Sequence, residues 1–161
     1  MSVTRTLALA AGGLLALVLL WLVGMRDKGS AVVRAQRRLN RDHLNPRQRG
    51  SAGVAGSTTS LVRHTGRRSG RTYETPVDAL RTPDGFVVAM VYGRGTDWVR
   101  NVLAGGPAGV RHDGTEHVVT AAEVVDVADV ADAFTPAQRR VGRVFGVREA
   151  LVLRTRSGQE T

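Results

Sequence analysis

The densest set of chemically useful residues is Leu61-Val62-Arg63-His64-Thr65-Gly66-Arg67-Arg68-Ser69-Gly70-Arg71-Thr72-Tyr73-Glu74-Thr75-Pro76. The run opens apolar, breaks into a short loop between Gly66 and Gly70, and resumes with Tyr73, Thr75, Val77 and Ala79 on alternate positions. Glycines let the backbone approach a ligand because no Cβ intervenes. Arg67, Arg68 and Arg71 add positive charge, so exposed N–H groups and guanidiniums together suit an anion, most naturally a phosphate. The loop is not a P-loop. It has one residue too few between its glycines, Arg71 stands where a lysine is needed, and the stretch after it, with Tyr73, Thr75 and Pro76, reads as strand rather than helix. A solvated hairpin turn whose arginines bind nothing is the other reading of the same residues.

Conventional catalytic arrangements find no support. Four histidines, His43, His64, His112 and His117, lack the spacing of zinc ligands on a helix, and there is no cysteine for a thiolate site or a disulfide. No serine stands in a nucleophile elbow, and Ser69 has no evident base. Asp126, Asp129 and Asp132 read as solvated helix-end residues. The expectation is therefore no catalytic side chain and no metal. A reaction carried by a cofactor needs neither, because the protein then supplies binding, orientation and a shaped pocket.

The ordered set Thr65-Gly66-Arg67-Arg68-Ser69-Gly70, then Thr75-Pro76, then Tyr92-Gly93-Arg94-Gly95-Thr96-Asp97-Trp98-Val99-Arg100-Asn101 resembles the deazaflavin-dependent nitroreductase and quinone reductase family, over roughly Ser57 to Arg154. The resemblance implies a split β-barrel of the FMN-binding-like kind that holds the deazaflavin cofactor (coenzyme F-420). By it, Arg67, Arg68, Ser69 and Gly70 would hold the cofactor's phosphate and acidic tail, with Arg71 a weaker addition. Tyr92, Gly93 and Arg94 would line the deazaflavin ring and the rest of its linker. Trp98 and Asn101 fall where the family carries a Trp and an Asn on the helix after that loop. Blander roles stand beside these: Tyr92 as a strand-end aromatic, Gly93 as a turn residue, Trp98 as a core anchor, and Asn101 as a hydrogen bond that holds the loop. Tyr73, Thr75 and Pro76 are pocket wall or strand packing. The chain departs from the family in its last third, where Phe134 and Phe145 are the only aromatics and the tyrosines expected over the substrate side of the ring are missing. Relatives of this barrel also bind flavin, haem-type pigments or lipids. FMN is thus the alternative cofactor, and a non-catalytic module that binds or carries such a ligand at the membrane is the alternative to an oxidoreductase acting on a quinone or similar lipophilic electrophile.

These residues need elements to position them. Ser57 to Arg63, Tyr73 to Leu80 and the apolar run Phe86 to Tyr92 read as strands, with a Thr82-Pro83-Asp84-Gly85 turn before the third. Thr96 or Asp97 can cap a helix through Trp98, Val99, Val102 and Leu103 that Gly105-Gly106-Pro107 ends. Asp113-Gly114 joins Ala108–His112 to Thr115–Val125 as a hairpin. A capping box at Thr135-Pro136-Ala137-Gln138 starts a helix ending around Gly146, and Val147 to Arg154 is the last strand. The order β-β-β-α-β-β-α-β implies a mainly β, α+β, antiparallel barrel rather than a doubly wound sheet.

The 161 residues carry a net charge of +9, with Lys28 as the only lysine. Leu7 to Met25 contains no charge and suffices to cross the roughly 30 Å hydrocarbon core as a helix. Arg5 precedes it, whereas Arg26, Lys28, Arg34, Arg37, Arg38, Arg41, Arg47 and Arg49 come after it, so a single-pass protein of the cell membrane with its domain in the cytoplasm is expected. The organisation expected is a transmembrane anchor over 1–28, a basic juxtamembrane helix and linker over 29–56 broken at Asn45-Pro46, the cofactor-binding barrel over 57–155, and a loose tail over 156–161. The basic run lacks the interleaved aromatics of a nucleic-acid site, so no nucleic acid is expected. The partners expected are a small-molecule cofactor, a lipophilic substrate, the membrane and, as split barrels often pair, a second copy in a homodimer.

Overall fold

The computed structural model describes residues 3–157, without the side chains of residues 3–6, 8–10, 43, 46 and 157. Seven strands, β1 Ser60–Thr65, β2 Thr72–Val77, β3 Ala79–Thr82, β4 Gly85–Ala89, β5 Ala108–His112, β6 Thr115–Asp126 and β7 Glu149–Ser157, form one sheet in the order β2-β1-β5-β6-β7-β4-β3. Every pairing is antiparallel. The helices are α1 Val3–Arg26, α2 Ala31–Leu39, α3 Asn45–Gln48, α4 Asp97–Leu103 and α5 Pro136–Val144. The expected α+β split barrel is thus present as a curled antiparallel sheet.

The expected second strand is two strands. Val77 and Ala79 are both buried and Asp78 between them is exposed, so the alternation of faces runs through without a break. The partner changes instead: Val77 pairs with Ser60, and Ala79 pairs with Val88. Periodicity reports which face a residue presents and is blind to which strand lies beside it. The sequence therefore shows one strand where the barrel has a corner.

The curled sheet encloses Val62, Val77, Phe86, Val88, Val99, Val110, Leu151 and Leu153 in one buried cluster. Val87, on the other face of β4, packs with Phe134 and Ala150 outside. Phe86, Val87 and Val88 are all buried, as a strand covered on both faces requires. The Asp113-Gly114 turn has left-handed backbone at both residues (φ 48° and 79°), which matches the twist of the β5–β6 hairpin. At Thr135 the capping box forms in full: its side chain accepts from Gln138 N, and the Gln138 side chain accepts from Thr135 N.

The N-terminal segment departs from expectation twice. Asn45-Pro46 does not break the helix. A π-helical turn over Asn40–Leu44 shifts the bonding so that Asn45 N donates to Asn40 O, and the proline arrives at the start of α3, where a missing N–H costs nothing. The expected membrane span is not supported either. The helix α1 runs over Val3–Arg26. Among the described residues no helix is long and apolar enough to cross a membrane. Of the expected loose tail, residues up to Ser157 belong to β7, and 158–161 lie outside the described residues.

Phe86 is 1% exposed at the centre of the enclosed cluster. Phe86→Ala should lower the unfolding free energy by about 3–5 kcal/mol. Urea titrations of the two proteins measure this, and a loss under about 1 kcal/mol would mean the barrel interior is loosely packed.

Candidate functional site

Between β1 and β2 the chain turns on two short backbone bonds, Gly66 N to Arg71 O and Gly70 N to Gly66 O, both 2.8 Å. Gly70 has φ 64°, a conformation that side chains disfavour. Gly66 is needed for space: a Cβ there would lie 2.5 Å from Ser69 Oγ and 2.6 Å from Tyr73 Cε2. Ser69 Oγ and the Tyr73 hydroxyl are 3.1 Å apart, which folds the loop onto β2.

The loop is tied to α4 through Asn101, which is buried. Asn101 Oδ1 accepts from Arg67 N at 3.2 Å and from Arg67 Nη1 at 2.8 Å, and Arg67 Nη2 donates to Asp97 Oδ1 at 3.2 Å. With its oxygen so engaged, the amide presents Nδ2 to His64 Nδ1 at 3.2 Å and must donate. His64 is then the tautomer with a proton on Nε2, which donates to Thr75 Oγ1 at 3.1 Å. The ring stacks on Tyr73 at 5.9 Å. Burial holds His64 neutral and pushes its pKa down to about 4, against a smaller opposing pull from Asp97. The chain Arg67–Asn101–His64–Thr75 is closed, with every polar atom in a consistent role.

The second glycine loop comes after β4 and is held by Gly93 N donating to Met90 O at 2.9 Å. The helix α2 lies against it. Arg37 Nη2 donates to Tyr92 O and, at 3.4 Å, to Lys28 O. A Cβ on Gly95 would lie 2.7 Å from Arg37 Nη1, and one on Gly93 3.1 Å from Lys28 Cβ. Arg37 Nε is buried with no hydrogen-bond partner, and burial together with Arg100 depresses the guanidinium's pKa.

These pieces border an open cavity of about 1180 Å³. Its buried floor includes Val77, Val88, Met90 and Val99, and Trp98 is half-buried on the same wall. Exposed Arg34, Arg38, Arg41 and Arg68 stand at its edge, with Glu74, Asp78 and Asp97 as the acidic lining. Of the residues expected at a site, Arg67, Arg68, Ser69, Tyr92, Gly93, Trp98 and Asn101 border this cavity. Gly70 and Arg94 do not. Gly70 only shapes the turn, and Arg94 points away onto Glu149, with Nη2 to Oε1 at 2.6 Å. Arg67 borders the cavity but spends its donors on Asn101 and Asp97, whereas Arg68 has no hydrogen-bond or ion-pair partner among the described residues.

Two contributions escape the sequence. His64 sits just before the loop on a strand, where alternation alone gives it no role. The arginines of α2 and of the π-helical turn after it suggest by composition a face toward lipid headgroups, although Arg34, Arg38 and Arg41 recur three or four apart and so share a face. The residues present fit an anionic, ring-bearing ligand: guanidiniums at the edge, an unpaired buried Arg37 Nε, and an apolar floor for a flat ring. No group of side chains suited to a metal occurs among the described residues.

A family model described as F420H(2)-dependent quinone reductase matches residues 34–155. No curated protein matches the chain. Among solved structures, an F420-H2-dependent reductase is 14% identical, with a TM-score of 0.44, covering 60% of this chain and 93% of that one. A protein of unknown function from Agrobacterium tumefaciens is 19% identical with a TM-score of 0.42; the match covers 63% of this chain and only 48% of the other. A haem storage protein from Vibrio cholerae is 10% identical, with a TM-score of 0.40, covering 64% and 84%.

The neutral His64 makes stability depend on pH. Its pKa is lowered to about 4 in the folded chain and is about 6.5 when unfolded. Between those values the unfolded state binds the proton that the folded state refuses. This contribution is complete above pH about 6.5 and is lost as pH falls toward 4. The loss should reach about 2–3 kcal/mol by pH about 4.5. Denaturant unfolding of the parent and of His64→Gln at pH about 7.5 and 4.5 checks this, and equal pH sensitivity in both would exclude His64 as the source.

Proposed function

This chain belongs to the F420H(2)-dependent quinone reductase family, and on that premise we propose that it is an oxidoreductase passing a hydride from a reduced deazaflavin to a quinone or similar lipophilic electrophile. The single observation that carries this reading is one cavity uniting Arg38 and Arg68, unpaired among the described residues, with an apolar floor, between two glycine-shaped loops. When bound, the deazaflavin would supply the hydride, so the reaction needs neither a side-chain nucleophile nor a metal.

The chain's own residues bind, orient and exclude water. Arg68 takes the cofactor's phosphate, since it borders the cavity and its donors are uncommitted. Arg67 is a strut: by gripping Asn101 it holds the loop's backbone N–H groups in place before any ligand arrives, and pre-organisation of this kind lowers the entropy lost on binding. Trp98, Met90 and Val88 offer the ring a dry surface. His64, held neutral by burial, would add no positive charge to this wall of the cavity.

The reading includes attachment to the cytoplasmic face of a membrane through α1. Leu14, Leu15, Leu17, Leu20 and Val23 are exposed on that helix, each by 60% or more. An apolar surface so large on all sides of a helix is unfavourable in water and suits lipid.

The test is a fluorescence titration of the full chain in detergent with oxidised coenzyme F-420, followed by turnover of the reduced form with a quinone analogue. Saturable binding and turnover are expected. Arg68→Ala should weaken binding about tenfold or more while leaving the melting temperature unchanged, because the side chain is exposed and unpaired. Undiminished binding by the variant would remove Arg68 as the phosphate ligand. A folded protein that binds the coenzyme without turnover, or binds only flavin or haem, would establish the carrier reading instead.

A further inference from the structure

We infer that α5 is a second membrane-contacting element: it lies in the interface of an anionic bilayer beside the cavity mouth, so that a lipophilic acceptor enters from the lipid side. This rests on the attachment through α1 proposed above.

The composition of α5 is the first ground. Val141 and Val144 are 55% and 49% exposed and, three apart, share a face. A helix that faces water carries polar residues at its outward positions. Here Arg139, Arg140 and Arg143 flank the exposed valines instead. Apolar residues on one face with arginines beside them is the pattern of a helix lying in the headgroup region, and the charge is complementary to anionic lipid.

Position is the second. The C-terminal ends of α1 and α5 meet. The Trp21 and Phe145 rings pack edge to face at 5.8 Å, Arg26 Nη1 donates to Arg143 O at 3.0 Å and Val144 O at 3.1 Å, and Lys28 Nζ donates to Phe145 O at 2.7 Å. The exposed apolar stretch of α1 ends at this level. Tryptophan and basic side chains settle at the boundary between hydrocarbon and headgroup. Trp21, Arg26 and Lys28 therefore mark that boundary along α1, and α5 is bonded to the chain at the same height.

The cavity is the third. Val141 of α5 and Phe145, its C-cap, border it, and so does Leu44, 40% exposed at the end of the π-helical turn. An opening that carries these apolar side chains beside its arginines, at headgroup level, lets a quinone enter from the lipid.

The chain contains no cysteine, so Val144→Cys takes a nitroxide at one place only. Val144 does not border the cavity. The labelled full chain is mixed with vesicles of phosphatidylcholine and phosphatidylglycerol, and flotation and spin relaxation by oxygen and by a nickel chelate are both measured. The expected result is flotation with the label shielded from nickel, at a depth of about 5–10 Å below the phosphates. Flotation with a nickel-accessible label would overturn the inference and leave the α1 attachment standing. Failure to float would remove the attachment itself. A label shielded without vesicles, in a species of twice the mass, would assign the face to a second copy of the chain and overturn the inference. Independently, Val144→Glu should raise KM severalfold for a long-tailed quinone in vesicles but not for a short soluble one; equal effects on both would count against entry from the lipid.

Discussion

The two edge strands of the sheet, β2 and β3, are joined by the single residue Asp78. Strands at opposite ends of a seven-strand hydrogen-bonded order can be neighbours in sequence only if the sheet curls through most of a circle. That closure makes an interior, and it decides which apolar residues are core. Phe86 and Leu153, side by side in the β4–β7 ladder, and Val62 and Val110, side by side in the β1–β5 ladder, belong to one buried cluster across the curl. A flat sheet of the same pairings would leave these two ladders far apart. The same curl brings the β1–β2 loop to the helix α4 beyond β4.

Where those two meet, one buried amide does the joining. Asn101 accepts from the loop and donates to His64, so a change at either end breaks a bond inside the protein rather than at its surface. An unsatisfied buried polar group costs about 1–3 kcal/mol, which makes the arrangement cooperative: Arg67, Asn101, His64 and Thr75 hold together or fail together. The exposed ion pairs differ in kind. Arg94–Glu149 and Arg154–Glu123 lie in water and contribute little to stability. The arginines thus divide by environment. Arg67 and Arg37 serve the architecture, whereas Arg38 and Arg68, exposed at the cavity edge, have no hydrogen-bond or ion-pair partner among the described residues.

Much of this was legible in the sequence because it is local. The Asp-Gly turn, the capping box, the buried β4 run and the two glycine loops each depend on a few adjacent residues, and each stands where the residues imply. The antiparallel order came from short connections. Asp78 was not legible, since a change of strand partner leaves no mark on a two-residue period. Nor was the continuation through Pro46, which depends on a π-helical turn over Asn40–Leu44 that shifts the bonding ahead of the proline. Val99 and Leu103, four apart on α4, share a face, yet Val99 is buried and Leu103 is exposed at the end of the helix.

For the site, residue types and spacing alone determined that the chain has two glycine-rich loops, one crowded with arginine. Which arginine is free to bind was decided only by the tertiary structure. Arg67 and Arg68 are adjacent and chemically identical, and the difference between them is a buried amide 34 residues away in the chain. The same holds for α2, whose arginines are a basic stripe in sequence and become the edge of a cavity only because Arg37 reaches Tyr92 O and packs over Gly95. Hydrogen-bond partners distant in sequence are chosen by the closure of the sheet, and no local pattern encodes them.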